Sequence, residues 1–325
     1  MEGNKLFIKT PLLHSKILSD IAESPVYLKL ENVQLSNSFK IRGFSRACIE
    51  RLEKGGCEGF VTFSAGNGGL ALAYTCHLLE KPSQIFVPSF ASPRMLDKIR
   101  SYGAIVHMTS SGHECYTKAV SMTKENPQWA LIHPHEDPAV WEGHSEMISE
   151  IKADLPEGSV PSCIVASVGG GGLLMGILKG IDANGWQDVP VVAMETIGAD
   201  NFSKSLAAGK QVLNDPMTSV AKTLGAPYIT SHLMDTVKHF NVISSTLPDE
   251  RAVDACLKFS DDHIFLVEPA AGVSLATVYS KVLSDILENR GFSMKAGPVV
   301  IIVCGGNDIN AEILLKLAKD FDLTT

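Results

Sequence analysis

From Ile41 the apolar residues return every three or four positions, at Ile41, Phe44, Cys48 and Leu52, with Arg46, Glu50, Arg51 and Glu53 between them. That period predicts an amphipathic helix, and Gly55-Gly56 supplies its stop. Elsewhere, short apolar runs alternate with helical patterns. "GFVTF" precedes a helix over about 68–80, "SQIFVPS" leads to "PRMLDKIRSYG", and "AIVHMT" to "HECYTKAVSMTKEN". "WALIHP", "SCIVASV", "VPVVAMET" and "PVVIIVC" are each followed by a helical stretch in the same way. Strands that are apolar on both faces and separated by helices predict an α/β fold of mostly parallel sheets flanked by helices. The βα units are too many for one compact sheet, so two lobes are expected. No Pro/Gly/Ser linker separates them, which implies that the chain crosses between lobes more than once.

The chain has 325 residues, 45% of them hydrophobic and 20% charged, as expected of a well-buried globular protein. A net charge of −8 without a basic stripe argues against nucleic acid or an anionic membrane as partner. The first residues lack the apolar segment of a signal peptide, and no apolar run approaches a membrane span. Seven cysteines are scattered singly with no CxxC pair, which suits a reducing compartment, and the cytoplasm is the expected location.

Candidate chemistry lies at strand ends, where open α/β sheets bind ligands. In "SNSFKIRG", Lys40 falls at the first turn of the predicted helix. There the helix dipole opposes an ammonium and favours the neutral, nucleophilic amine. The plain alternative is a lysine that snorkels to solvent. "SAGNGG" follows a strand and opens a helix, so its backbone N–H groups form an anion site suited to a carboxylate, with the Asn67 amide beside it. A tight turn with no ligand would read similarly. In "SVGGGGLLMG", four consecutive glycines between strand and helix form a backbone-lined cradle for a phosphate. Gly170, Gly172 and Gly176 also fit a loose dinucleotide fingerprint, with Glu195 as the ribose-binding acid, which keeps a nicotinamide-dependent oxidoreductase open. Cys304 ends an apolar strand before Gly305-Gly306 and is either a small buried hydrophobe or a site residue. His133, His135 and His144 lack zinc-site spacing and have no cysteine partner nearby.

Taken in order, "KTP", "SFKIRG", "SAGN", "DPAVWEGH", "SVGGGGLL", "AMETIGA", "TSVAKTLGA", "VEPAAG" and "VCGGN" cover nearly the whole chain. The sequence resembles the serine/threonine dehydratase group of the fold type II (tryptophan-synthase-β-like) pyridoxal phosphate enzymes. The resemblance implies a lyase that deaminates L-serine or L-threonine by β-elimination to pyruvate or 2-oxobutanoate plus ammonia, in amino-acid catabolism and gluconeogenesis. It implies pyridoxal phosphate bonded to Lys40, with Phe39 against its ring, Gly169, Gly170, Gly171, Gly172 and Leu173 around its phosphate, and Cys304 facing the pyridine nitrogen. Ser64, Ala65, Gly66 and Asn67 would hold the substrate carboxylate, with Asn67 also touching the cofactor and His135 bordering the substrate side chain. A monovalent cation, potassium, would lie near Gly169, Glu195, Ala199, Leu224 and Ala226. The expected division is a small lobe over 37–140 and a large one over 1–36 and 141–325, in a homodimer.

Within that group Ala65 stands where racemases carry a proton-moving serine, and the chain leaves no room for a regulatory domain after its last helix. Leu35, Asn37, Gly68, His135, Asn201 and Asp308 depart from the group's usual residues. They leave open another 3-hydroxy amino acid as substrate, and a catalytically silent cofactor-binding protein is the remaining alternative.

Overall fold

A computed structural model describes residues 5–64, 66–89, 91–213 and 216–323. The chain opens with β1 (Leu12–His14), α1 (Lys16–Ala22) and β2 (Val26–Leu30). It continues through α2 (Lys40–Glu53), β3 (Gly59–Thr62), α3 (Asn67–Leu78), β4 (Ser83–Pro88), α4 (Pro93–Ser101), β5 (Ile105–Thr109), α5 (Gly112–Glu125) and β6 (Trp129–Leu131). The long α6 (Pro138–Asp154) leads to β7 (Cys163–Ser167), α7 (Gly172–Ala183), β8 (Val191–Thr196) and α8 (Asn201–Ala208). Then follow α9 (Leu233–Thr236), β9 (Val242–Leu247), α10 (Asp249–His263), α11 (Pro269–Tyr279), α12 (Leu283–Glu288), β10 (Val299–Val303) and α13 (Ala311–Asp320).

Two sheets result. The larger has the order β1-β2-β10-β7-β8-β9 and the smaller β5-β4-β3-β6. Every pairing is parallel except that of β1 with β2. The last strand lies inside the large sheet, with Ile301 opposite Leu28 on one side and Val165 on the other. All residues of β7, β8 and β10 are buried, as the unbroken apolar runs predicted. The edge strand β9, "VISSTL", carries hydroxyl residues and is half-exposed, so its apolar signal is too weak to read from sequence. Each sheet has its own core: Leu28, Val165 and Ile301 belong to one, Ile41, Phe44, Phe60 and Ile85 to the other.

Lys40 is the first residue of α2, whose apolar face buries Ile41, Phe44 and Cys48 as the spacing required. Gly55 and Gly56 then turn the chain at φ +78° and +74°. Behind α2 runs a buried ionic cluster. Arg42 donates to Glu31 from Nε (2.7 Å) and Nη2 (2.7 Å), and to Glu150 from Nη1 (2.8 Å) and Nη2 (2.6 Å). Lys29, fully buried, reaches Glu150 (2.5 Å) and the Thr10 carbonyl (2.7 Å). This cluster ties β2, α2 and α6 into one support for Lys40.

Candidate active site

Two motifs from opposite ends of the sequence meet at Lys40. Ser38 pairs with Gly305 in an isolated antiparallel bridge, and the Phe39 N–H donates to the Cys304 carbonyl at 3.1 Å. Gly305 has φ +147°, and a methyl group on it would stand 2.6 Å from Ser38 Cβ, so only glycine allows this approach. Lys40 Nζ lies 5.0 Å from the Phe39 ring centre and donates to the Pro134 carbonyl at 3.2 Å. Burial lowers its pKa to about 8, the direction that frees a neutral amine near physiological pH. Cys304 is buried, 3.5 Å from the Ser167 hydroxyl, and burial pushes its thiol up to about 12, so it stays protonated.

The Ser64–Gly69 turn enters α3 as the sequence predicted, with Gly66 capping the helix; Ala65 lies outside the described residues. A methyl group on Gly69 would stand 2.1 Å from the Ser64 carbonyl oxygen. One on Gly68 would meet Ser64 Oγ at 2.9 Å and Phe44 Cζ at 3.3 Å. Gly68 therefore packs beneath the turn, against Ser64 and the α2 core.

Asn67 is braced at both ends of its amide. Its Nδ2 donates to Glu268 Oε1 (2.6 Å), and its Oδ1 accepts from Asn307 Nδ2 (2.8 Å). One N–H and one lone pair remain for a ligand. Glu268 also accepts from Thr223 Oγ1 (2.9 Å), and burial raises its pKa to about 7 against these hydrogen bonds. Asn307 donates to the Ser36 carbonyl (2.7 Å) as well, and its own carbonyl accepts from Arg94 Nη1 (2.7 Å). The sequence alone assigns no role to Glu268, Asn307 or Thr223. The signal was present in "VEPAAG", where an acid interrupts an apolar run just before a helix-starting proline.

The tetraglycine turn is enclosed by two other segments. A methyl group on Gly170 would stand 2.6 Å from the His135 ring, and one on Gly171 would stand 2.8 Å from Leu233. On Gly169 it would meet Leu224 at 3.1 Å. Gly171 caps α7 at φ +87°. Among the described residues, no backbone carbonyl accepts from the N–H groups of Gly170 to Leu173. A row of free donors at a helix start, in a turn too close-packed for side chains, fits a phosphate.

Gly176 and Glu195 do other work than the dinucleotide reading assigned. A methyl group on Gly176 would stand 2.4 Å from His144 Cβ, so this glycine lets α7 pack closely on α6. Gly43 does the same from α2, where a methyl group would stand 2.5 Å from His144 Cε1. Glu195 is fully buried and accepts from the N–H groups of Phe202 and Ser203, both at 2.8 Å, instead of facing a ribose. Burial raises its pKa to about 8 despite these bonds. Nearby, Asn201 Nδ2 donates to the Ala226 carbonyl (3.0 Å), while its buried Oδ1 has no partner among the described residues. His133 Nδ1 accepts from the N–H of Glu136 at 2.9 Å, a loop-fixing role.

A family model described as "Pyridoxal-phosphate dependent enzyme" matches residues 4–305. A curated L-serine dehydratase/L-threonine deaminase of Bos taurus is 40% identical over 324 residues, 99% of this chain and 98% of that protein. A serine dehydratase-like protein of Mus musculus is 41% identical over 309 residues, covering 95% and 93%. Among solved structures, a fungal L-serine ammonia-lyase from Rhizomucor miehei superposes with a TM-score of 0.89 at 31% identity, covering 97% of this chain and 99% of that one.

Proposed function

The chain belongs to the pyridoxal-phosphate dependent enzymes, and from that premise we propose that it is an ammonia-lyase that eliminates water from L-serine and L-threonine. The products are ammonia and pyruvate or 2-oxobutanoate. The observation that carries the reading is the placement of Lys40, an amine with its pKa lowered to about 8 at the start of α2, beside Cys304 and within one segment of the tetraglycine turn. The residues present fit the cofactor. Gly169 to Gly172 and Leu173 would hold its phosphate, Phe39 would lie against its ring, and Cys304 would face its pyridine nitrogen. Pyridoxal phosphate, when bound, supplies the electron sink that lets the substrate lose its Cα proton and its β-hydroxyl.

The chain's own groups supply the rest. Lys40 Nζ would hold the cofactor, and its amine, neutral in the form that burial favours, would take the Cα proton as general base. Ser64, Gly66 and the start of α3 bind the substrate carboxylate through backbone donors, and by the resemblance Ala65 shares that role. The spare valences of Asn67 add to that site while Glu268 and Asn307 keep its amide in plane. A protonated thiol at Cys304 would bring no charge to a ring nitrogen, an environment that would suit elimination better than transamination or racemisation. The orphaned Asn201 Oδ1, with the carbonyls of Gly169, Ala199, Leu224 and Ala226 and the Glu195 carboxylate, supports a bound monovalent cation, potassium by our assignment. We assign residues 37–140 as a small lobe that closes on the large lobe formed by 1–36 and 141–325. A homodimer in the cytoplasm, serving amino-acid breakdown, completes the proposal.

The test is formation of 2-oxo acid and ammonia from L-serine and L-threonine by purified protein loaded with the cofactor. Lys40→Ala is expected to lower turnover by about 10³-fold or more while the fold persists. Wild-type protein that binds the cofactor yet releases no 2-oxo acid from any 3-hydroxy amino acid would sink the reading.

A further inference from the structure

The rings of His133 and His135 meet edge to face with centroids 4.6 Å apart, in the segment that closes over the tetraglycine turn. His135 stands on the cradle itself. A methyl group on Gly170 would lie 2.6 Å from both Cγ and Nδ1 of the ring, and one on Gly172 would lie 3.0 Å from His135 Cα. Its backbone is fixed from three sides. The His135 N–H donates to His133 Nδ1 at 3.3 Å, its carbonyl accepts from Trp141 Nε1 at 2.8 Å, and the preceding carbonyl accepts from Lys40 at 3.2 Å. Both of its hydrogen bonds are made by its backbone, so among the described residues its ring nitrogens have no partner.

The charges around the ring are one-sided. Lys40 faces it from α2, and His133 from its own loop. Glu136 is turned outward to the Ser231 N–H (2.5 Å) and His232 (3.4 Å). The glycines of the cradle and Trp141 of α6 bring no charge. Burial, His133 and Lys40 together hold the His135 pKa well below its ordinary value, the direction that favours a neutral imidazole. A half-buried imidazole whose nitrogens have no partner among the described residues, beside a row of backbone donors, makes a surface suited to an anion.

We propose that His135 is a ligand of the cofactor phosphate, donating a ring N–H to it from across the tetraglycine turn and taking up a proton from solvent as the phosphate enters. The inference rests on the assignment of Gly169 to Gly172 as the phosphate site. It moves His135 from the substrate side chain, where the sequence placed it, to the phosphate end. A dianion at the cradle reverses the local balance and favours the imidazolium. Because the complex binds more protons than its parts, phosphate affinity falls as pH rises through the pKa of His135 in the complex.

Pyridoxine 5′-phosphate, which lacks the aldehyde, probes the phosphate end without a bond to Lys40. We would titrate it calorimetrically into the cofactor-free protein in two buffers of different ionisation enthalpy, all variants carrying Lys40→Ala so that the lysine cannot contribute. The parent is expected to take up about one proton near neutral pH. His135→Phe, which keeps an aromatic ring but has no N–H, is expected to bind about tenfold more weakly with the excess uptake gone. His135→Gln retains an N–H donor and is expected to restore most of the affinity but not the proton. Equal affinity and equal uptake in parent and His135→Phe overturns the proposal and leaves the cradle assignment standing. A parent that does not bind the analogue overturns both.

Discussion

Two buried acids flank the Lys40 helix, and the structure treats them in opposite ways. Glu31, behind α2, meets Arg42 through two hydrogen bonds and Thr10 through a third, within a cluster that also pairs Glu150 with Arg42 and Lys29. Glu268, in front, accepts from the neutral groups of Asn67, Thr223 and the Asp308 backbone, and no cation is hydrogen-bonded to it among the described residues. Burial alone would raise the pKa of Glu150, yet Arg42 and Lys29 hold it below the ordinary value, whereas Glu268 is pushed up to about 7. Charges that have been buried as a pair are costly to separate and resist any change of partner, so they suit a scaffold. An acid balanced between its two protonation states suits a site that must accept different ligands during a reaction.

The largest effect should come from unpairing the scaffold. Glu31→Gln leaves Arg42 buried with half its anionic contacts, and we expect a loss of about 3–5 kcal/mol in denaturant unfolding. A loss under about 1 kcal/mol would erase the distinction drawn between the two acids. Next comes the pH dependence of the cofactor-free protein. Glu268 binds its proton more tightly folded than unfolded, so its contribution is present below its ordinary pKa of 4.5 and is lost as pH rises through about 7. Glu150 has the reverse sign, its contribution present above its ordinary pKa and lost as the solution is acidified. Glu268→Gln should therefore flatten the decline in stability between those two pH values. Glu195, raised to about 8, leaves a residual slope of the same sign. An unchanged slope in Glu268→Gln would mean that Glu268 ionises as it does in the unfolded chain. The smallest effect belongs to Thr223→Val, which removes one donor to Glu268. About 1 kcal/mol is expected at a pH where Glu268 is ionised, and less where it is protonated. Equal losses at both pH values would place the role of Thr223 in packing.

The contrast also marks what could be read from the sequence. The helix at Lys40, its apolar face and its stop at Gly55-Gly56 follow from local spacing, and so do the unbroken runs of β7, β8 and β10. The two glycine turns were legible because glycine at strand ends has few other uses. The stretch between about 210 and 290 was not. There β9 is a half-exposed edge strand with three hydroxyl residues, and α10 and α11 follow without a strand between them. Glu268 shows the deeper reason. Its raised pKa arises where three segments distant in sequence close around it, and no window of residues contains Asn67, Thr223 and Glu268 together. The tetraglycine motif by itself carries two readings, and the packing of Gly176 on His144 and of Glu195 on the backbone of α8 removes one of them.

The position of β10 has a consequence for how the protein is made. Residues 299–303 fill the middle of the large sheet, and Cys304 and Gly305 immediately beyond them seat Ser38 and Phe39. A nascent chain that has left the ribosome as far as β9 still has β2 and β7 with no strand between them. Lys40, translated early, waits for the far end of the message before it acquires a fixed address. The small sheet has all its strands within residues 59–131 and can form first. Such long-range closure is slow and leaves apolar strand edges uncovered in the interval, a window in which chaperones would find this chain.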